Sequence, residues 1–104
     1  MRVLIAEDNG LANNVLADLL RSNGVIVDQT QTGQEALDLV RHYDYDVVLL
    51  DLALPDMEGY EVVRRMRAAR IDVPVVVQAP MVMPQARVRA FSIGADDFIT
   101  KQTS

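Results

Sequence analysis

Residues 47–51 read Val47-Val48-Leu49-Leu50-Asp51, four aliphatic side chains in a row followed at once by an acid. A half-buried element would alternate, or repeat every three to four residues; this run is apolar on every side. It therefore reads as a central strand covered on both faces, as in a parallel sheet. Its terminal acid falls where open α/β sheets hold ligands, beyond the carboxyl ends of the strands.

Working outward, the same grammar recurs. Val3-Leu4-Ile5-Ala6 is a short buried strand followed directly by Glu7 and Asp8. Residues 11–22 carry Ala12, Val15, Leu16, Leu19 and Leu20 at helical spacing and stop at Asn23-Gly24. Residues 25–30 alternate apolar and polar, as an edge strand does. In residues 32–43, Thr32 is the N-cap and Glu35 completes a capping box, ahead of the stripe Ala36, Leu37, Leu39 and Val40. Residues 59–70 form a helix with Val62, Val63 and Met66 inward. Residues 75–77 are a second central strand, opened by Pro74. Pro84 starts a helix that runs to Ser92 and closes at Gly94, and residues 98–100 are a last strand. The Asn9-Gly10 pair suits a hairpin turn, but the dozen residues after it are helical in pattern, so the hairpin loses. The order βαβαβαβαβ implies one parallel sheet with right-handed crossovers.

With 104 residues, 50% hydrophobic and 24% charged, the chain has room for one domain, 1–104, of ordinary globular composition. It has no cysteine, which excludes disulfides and thiolate metal ligands. No apolar run approaches a membrane span, and the start is too short and too soon acidic for a signal peptide. A cytoplasmic protein is expected. The net charge of −5 argues against nucleic-acid binding through this chain alone.

The chemistry gathers at the strand ends. Glu7 and Asp8 follow the first strand and Asp51 ends the third. Three like charges so close raise one another's pKa unless a cation neutralises them. Magnesium, which takes one or two carboxylates plus water and phosphate oxygens, suits such a set.

Glu7-Asp8, then Asp51-Leu52-Ala53-Leu54-Pro55-Asp56-Met57-Glu58-Gly59, then Lys101 after a strand, closely resemble the receiver domain (CheY-like) of two-component response regulators, over the whole chain in order and spacing. Residues 43–67 also resemble receivers attached to winged-helix transcription factors. The resemblance implies an open five-stranded parallel sheet, flavodoxin-like, of order 2-1-3-4-5, with helices on both faces. It implies that Asp51 takes a phosphoryl group from a histidine kinase or phosphotransfer protein, with Mg2+ as cofactor. Glu7, Asp8, Asp51 and the backbone carbonyl of Ala53 would hold the metal, Lys101 would pair with the phosphoryl oxygens, and Phe98 would be the aromatic residue that swings on activation. Self-phosphorylation and self-dephosphorylation are then the only reactions expected, not enzymatic turnover.

Three departures qualify that pattern. The family carries serine or threonine at the end of the fourth strand, where this chain has Ala79. The family's lysine precedes a proline, often through a cis bond; here Gln102 follows, and a trans bond is expected. The family adds a fifth helix after this point, whereas the sequence stops at Ser104. An uncovered sheet face is therefore expected, baring members of residues 47–50 and 75–77 and favouring a homodimer.

Other features carry less. Arg64, Arg65, Arg67 and Arg70 read as a solvated basic face before a docking patch, and His42 as a surface residue at a helix end. Met81, Val82 and Met83 suit either a soft docking surface or a cap on a thin core. Two competing functions stay open beside the phosphoacceptor: a pseudo-receiver acting as an interaction module, and a haloacid-dehalogenase-type phosphatase. The second of these needs an acid where Ala53 stands.

Overall fold

In the computed structural model, residues 1–80 and 85–101 are described, the side chains of Pro80 and Lys101 excepted. The elements are β1 (Arg2–Ala6), α1 (Gly10–Ser22), β2 (Ile26–Thr30), α2 (Gly33–His42), β3 (Val47–Asp51), α3 (Gly59–Ala68), β4 (Val75–Pro80), α4 (Ala86–Ser92) and β5 (Asp97–Lys101). The strands pair in parallel as one sheet of order β2-β1-β3-β4-β5. Fold, strand order and the edge position of β2 agree with expectation. β4 and β5 are longer than the apolar runs that announced them, because Gln78, Ala79, Pro80, Asp97 and Lys101 take ladder positions whatever their polarity. The expected helix start at Pro84, the Met81-Val82-Met83 loop and the bond to Gln102 lie outside the described residues.

The two faces of the sheet are covered unequally. Leu4, Ala6, Val48, Leu50, Val75, Val77 and Ala79 join Leu37, Val62, Val63, Met66, Ala86 and Ala90 in one large core, so α2, α3 and α4 share a face. On the other face Val3, Ile5 and Val27 pack against Ala17 of α1. Strand alternation accordingly splits the decisive run: Val48 and Leu50 are fully buried, whereas Val47 and Leu49 are half-buried. The expected bare patch is thus narrower than residues 47–50 and 75–77 together.

Local chemistry accounts for the ends of the elements. Asn9 caps α1 by accepting the Ala12 N–H at 3.1 Å, and Thr32 caps α2 through the Glu35 N–H at 3.1 Å. The capping box is not reciprocal. The Thr32 hydroxyl donates to Glu35 Oε1 at 3.0 Å, and the Thr32 N–H goes instead to Thr30 Oγ1 at 3.3 Å. At the amino edge of the sheet, Asp28 Oδ2 accepts from the Arg2 guanidinium at 2.7 Å and the Tyr45 hydroxyl at 2.6 Å, tying β1 and β2 to the segment that leads into β3.

Candidate functional site

Register assembles the edge. Ala6 pairs with Leu50 in the last rung between β1 and β3, and the next residue on each chain is an acid, Glu7 and Asp51. Asp51 pairs with Gln78, Ala79 with Thr100 and Pro80 with Lys101. Backbone positions of Glu7, Asp8, Asp51, Ala53, Ala79 and Lys101 therefore all fall at one carboxyl edge. Glu7 and Asp51 are each only 6% exposed, whereas Asp8 is exposed. Phe98 sits deeper, beside Val77, with its ring buried. The Lys101 side chain lies outside the described residues.

The loop after β3 is held from both ends. Asp51 Oδ1 accepts the Ala53 N–H at 3.1 Å, which fixes the rotation of the carboxylate. Ala53 and Glu58 form an antiparallel bridge, and the Gly59 N–H donates to the Leu52 carbonyl at 2.8 Å. Asp56 reaches across to α2, accepting the Gly33 N–H at 2.8 Å and the Gln34 N–H at 2.9 Å. These N–H groups begin a helix and have no intrahelical partner, so a carboxylate there satisfies them and opposes the helix dipole.

Burial raises the Asp56 pKa, but the backbone N–H groups of Gly33 and Gln34 outweigh it and hold the carboxyl below its ordinary value. A depressed folded-state pKa contributes stability that is present above the unfolded value, near 4, and lost as pH falls through the folded one. Asp56→Asn should therefore flatten the acid limb of a thermal-melt series while lowering the melting temperature at pH 7. An acid limb unchanged by the substitution would contradict this.

Behind the acid pair, the Glu7 N–H donates to the Thr30 carbonyl at 3.1 Å. The buried Asn13 amide donates to the carbonyls of Glu7 and Thr30 at 3.2 and 3.0 Å. Among the described residues no three His, Cys, Asp or Glu side chains converge on one point as a ready metal cage. The donors are nonetheless of the kind magnesium prefers: the nearly buried carboxylates of Glu7 and Asp51 and the exposed one of Asp8.

The family profile of the response regulator receiver domain matches residues 3–104. The chain belongs to this family. Over 101 residues this receiver is 42% identical to the cell cycle response regulator CtrA of Brucella ovis, covering 97% of this chain and 44% of that protein. It thus spans less than half the length of the curated relatives it matches. Its fold superimposes on the receiver domain of the Francisella response regulator 1452 (TM-score 0.92, 26% identity, 99% of this chain and 85% of that one). It also superimposes on the non-phosphorylated HemR receiver domain of Leptospira biflexa (TM-score 0.89, 31% identity, 99% and 83%).

Within this receiver, Ala79 is fully buried at the end of β4 and offers no hydroxyl, while half-buried Gln78 lies on the opposite face, as alternation requires. The arginine cluster divides. Arg64 and Arg65 pair with Glu61 at 2.6 and 2.8 Å on the surface. Arg67 corrects the expectation of a solvated face, since it donates to the carbonyls of Gly94, Ile71 and Val73 and to Asp96. Those acceptors belong to loops around the starts of β4 and β5, which no spacing within α3 could reveal. His42 is exposed, with Nδ1 2.7 Å from the Asp38 carbonyl one turn back.

Proposed function

We propose that this receiver accepts a phosphoryl group from a histidine kinase or phosphotransfer protein on Asp51, with Mg2+ as cofactor. The observation that carries the reading is a nearly buried carboxylate ending the central strand, one residue past the last rung with β1, as Glu7 is. The reaction forms a bond between an Asp51 carboxylate oxygen and phosphorus and breaks the donor's nitrogen–phosphorus bond, whose electrons stay with the departing imidazole. Asp51 is held for that attack by the Ala53 N–H, and little beyond positioning and charge neutralisation is needed. Glu7, Asp8, Asp51 and the Ala53 carbonyl would hold the metal, which supplies positive charge to the phosphoryl oxygens when bound. Lys101 would add an ammonium from the end of β5. Hydrolysis of the phosphoaspartate by the same site would reset it, so the chain acts as a self-modified switch in the cytoplasm. Signalling would pass to a partner or effector domain, and the resemblance of residues 43–67 to receivers attached to winged-helix transcription factors favours an output in transcription.

The buried Ala79 supports a second reading, a pseudo-receiver that binds partners without a phosphorylation switch. A hydroxyl bonded to a charged group contributes ~1.5–3 kcal/mol, and alanine forgoes it. Ala79→Ser, the smallest change that restores the hydroxyl, should enlarge the spectral difference between beryllofluoride-bound and apo protein and leave magnesium affinity nearly unchanged. Failure of beryllofluoride to bind either form with Mg2+ would favour the pseudo-receiver.

A homodimer is part of this proposal. Asn14 and Arg21 turn one flank of α1 toward β2, where both contact Gln29. Away from that flank Leu11, Val15 and Leu19 are 76%, 61% and 60% exposed. On the same sheet face, Ile99 is half exposed and Leu49 and Val76 are half-buried. Patches of this kind mark interfaces. Sedimentation of the 104-residue chain at micromolar concentration should show a dimer, and a stable monomer would refute this.

A further inference from the structure

We propose that Asn13 is the residue that positions the Glu7–Asp8 acid pair for a divalent cation, a role that rests on the metal-dependent function proposed above. Asn13 lies in the first turn of α1, is 2% exposed and has every polar atom of its side chain engaged. The amide nitrogen donates to the Glu7 carbonyl at 3.2 Å and to the Thr30 carbonyl at 3.0 Å. The amide oxygen accepts from Gln29 Nε2 at 2.8 Å. A carboxamide has two N–H donors, and here each serves a different strand end.

The place of those bonds gives them their meaning. The β1–β2 ladder ends with Ala6 paired to Thr30, and its last rung is the Glu7 N–H on the Thr30 carbonyl at 3.1 Å. Beyond it the backbones part, β1 toward Asn9 and α1, β2 toward Thr32 and α2. Asn13 supplies one further rung from a side chain, just where the first acid leaves the strand. Glu7 then has both backbone polar groups held, the N–H by Thr30 and the carbonyl by Asn13. The peptide joining Glu7 to Asp8 cannot rotate freely, so the directions in which the two acid side chains depart are set. Magnesium tolerates little departure from octahedral geometry, which makes its affinity sensitive to that plane. Polarity at this position costs helix propensity and core packing, and an apolar residue would deprive the Glu7 carbonyl of the Asn13 donor and leave the Thr30 carbonyl with the Glu7 N–H alone.

Calorimetric titration of the whole chain with MgCl2 tests the role, together with amide exchange at Glu7 and Asp8 in the metal-free protein. Asn13→Ala should weaken magnesium affinity by about tenfold, the effect of leaving one buried acceptor unsatisfied, and should speed exchange at Glu7 and Asp8. Gln29→Ala removes the donor to the Asn13 oxygen, together with the surface contacts to Asn14 and Arg21, but neither bond to a strand-end carbonyl, and should change affinity by less than about twofold. Leu37→Ala lowers the melting temperature from the opposite face and should leave affinity intact. Asn13→Ser, which keeps one donor, should fall between and serves if the alanine variant does not fold. Magnesium affinity and exchange in Asn13→Ala equal to those of the unaltered chain, or a Leu37→Ala loss as large as that of Asn13→Ala, would overturn the positioning role alone. No magnesium binding by the unaltered chain would overturn both the role and the function on which it rests.

Discussion

With Mg2+ and a small phosphodonor such as acetyl phosphate, the chain should gain a single phosphoryl group, and Asp51→Asn should gain none. The amide of asparagine keeps the size of the side chain but is a far weaker nucleophile and lacks the charge that a cation would neutralise. Asp51 is the only acid on the β3 end, it is 6% exposed, and the Ala53 N–H orients it. Glu7, at the matching position after β1, is equally buried but belongs to the proposed metal set, so Glu7→Gln should slow labelling and raise the magnesium needed rather than remove the acceptor. Intact-mass spectrometry reads both effects. Labelling that survives in Asp51→Asn, or that proceeds fully in excess chelator, would remove Asp51 or the metal from the mechanism.

Gly59→Ala should damage stability and phosphorylation together. A Cβ at position 59 would stand 2.5 Å from the Asp51 backbone oxygen and 2.9 Å from the Leu52 Cα. Neither is the movable tip of a side chain, so α3 must shift or the end of β3 must give way. Overpacking of this kind costs ~1–3 kcal/mol, which in a domain of this size lowers the melting temperature by roughly 5–20 °C. The backbone displaced carries the phosphoacceptor, so the labelling rate should fall as well. Gly24 makes the comparison. It has φ +82°, and a Cβ there would meet nothing within 4 Å, so Gly24→Ala adds only the ~1 kcal/mol strain of a left-handed backbone. That variant should melt slightly earlier and label normally. Equal labelling rates in Gly59→Ala and Gly24→Ala would show that the contact with Asp51 does not control the site.

Much of this receiver is written locally. The apolar run before Asp51, the helical spacing from Ala12 to Leu20 and the Thr32 cap each concern residues a few positions apart, and hydrophobic period and capping act at that range. Those signals set the number and order of elements and thereby put Glu7, Asp8 and Asp51 after strands. The tertiary structure decided what depends on partners distant in the chain. Asp56 caps a helix more than twenty residues earlier, Arg67 holds the loops around the starts of two later strands, and Asn13 joins the ends of β1 and β2. Gly59 is an ordinary helix start by sequence, and only the path of the loop brings it against the Asp51 carbonyl. Likewise, nothing within Val47-Val48-Leu49-Leu50 distinguishes its four side chains. Val48 and Leu50 are sealed because α2 and α3 lie over them, whereas Val47 and Leu49 stay half-buried because α1 packs against Val3, Ile5 and Val27 on their face. Burial is a property of what arrives from elsewhere in the chain, and hydrophobicity records only the readiness for it.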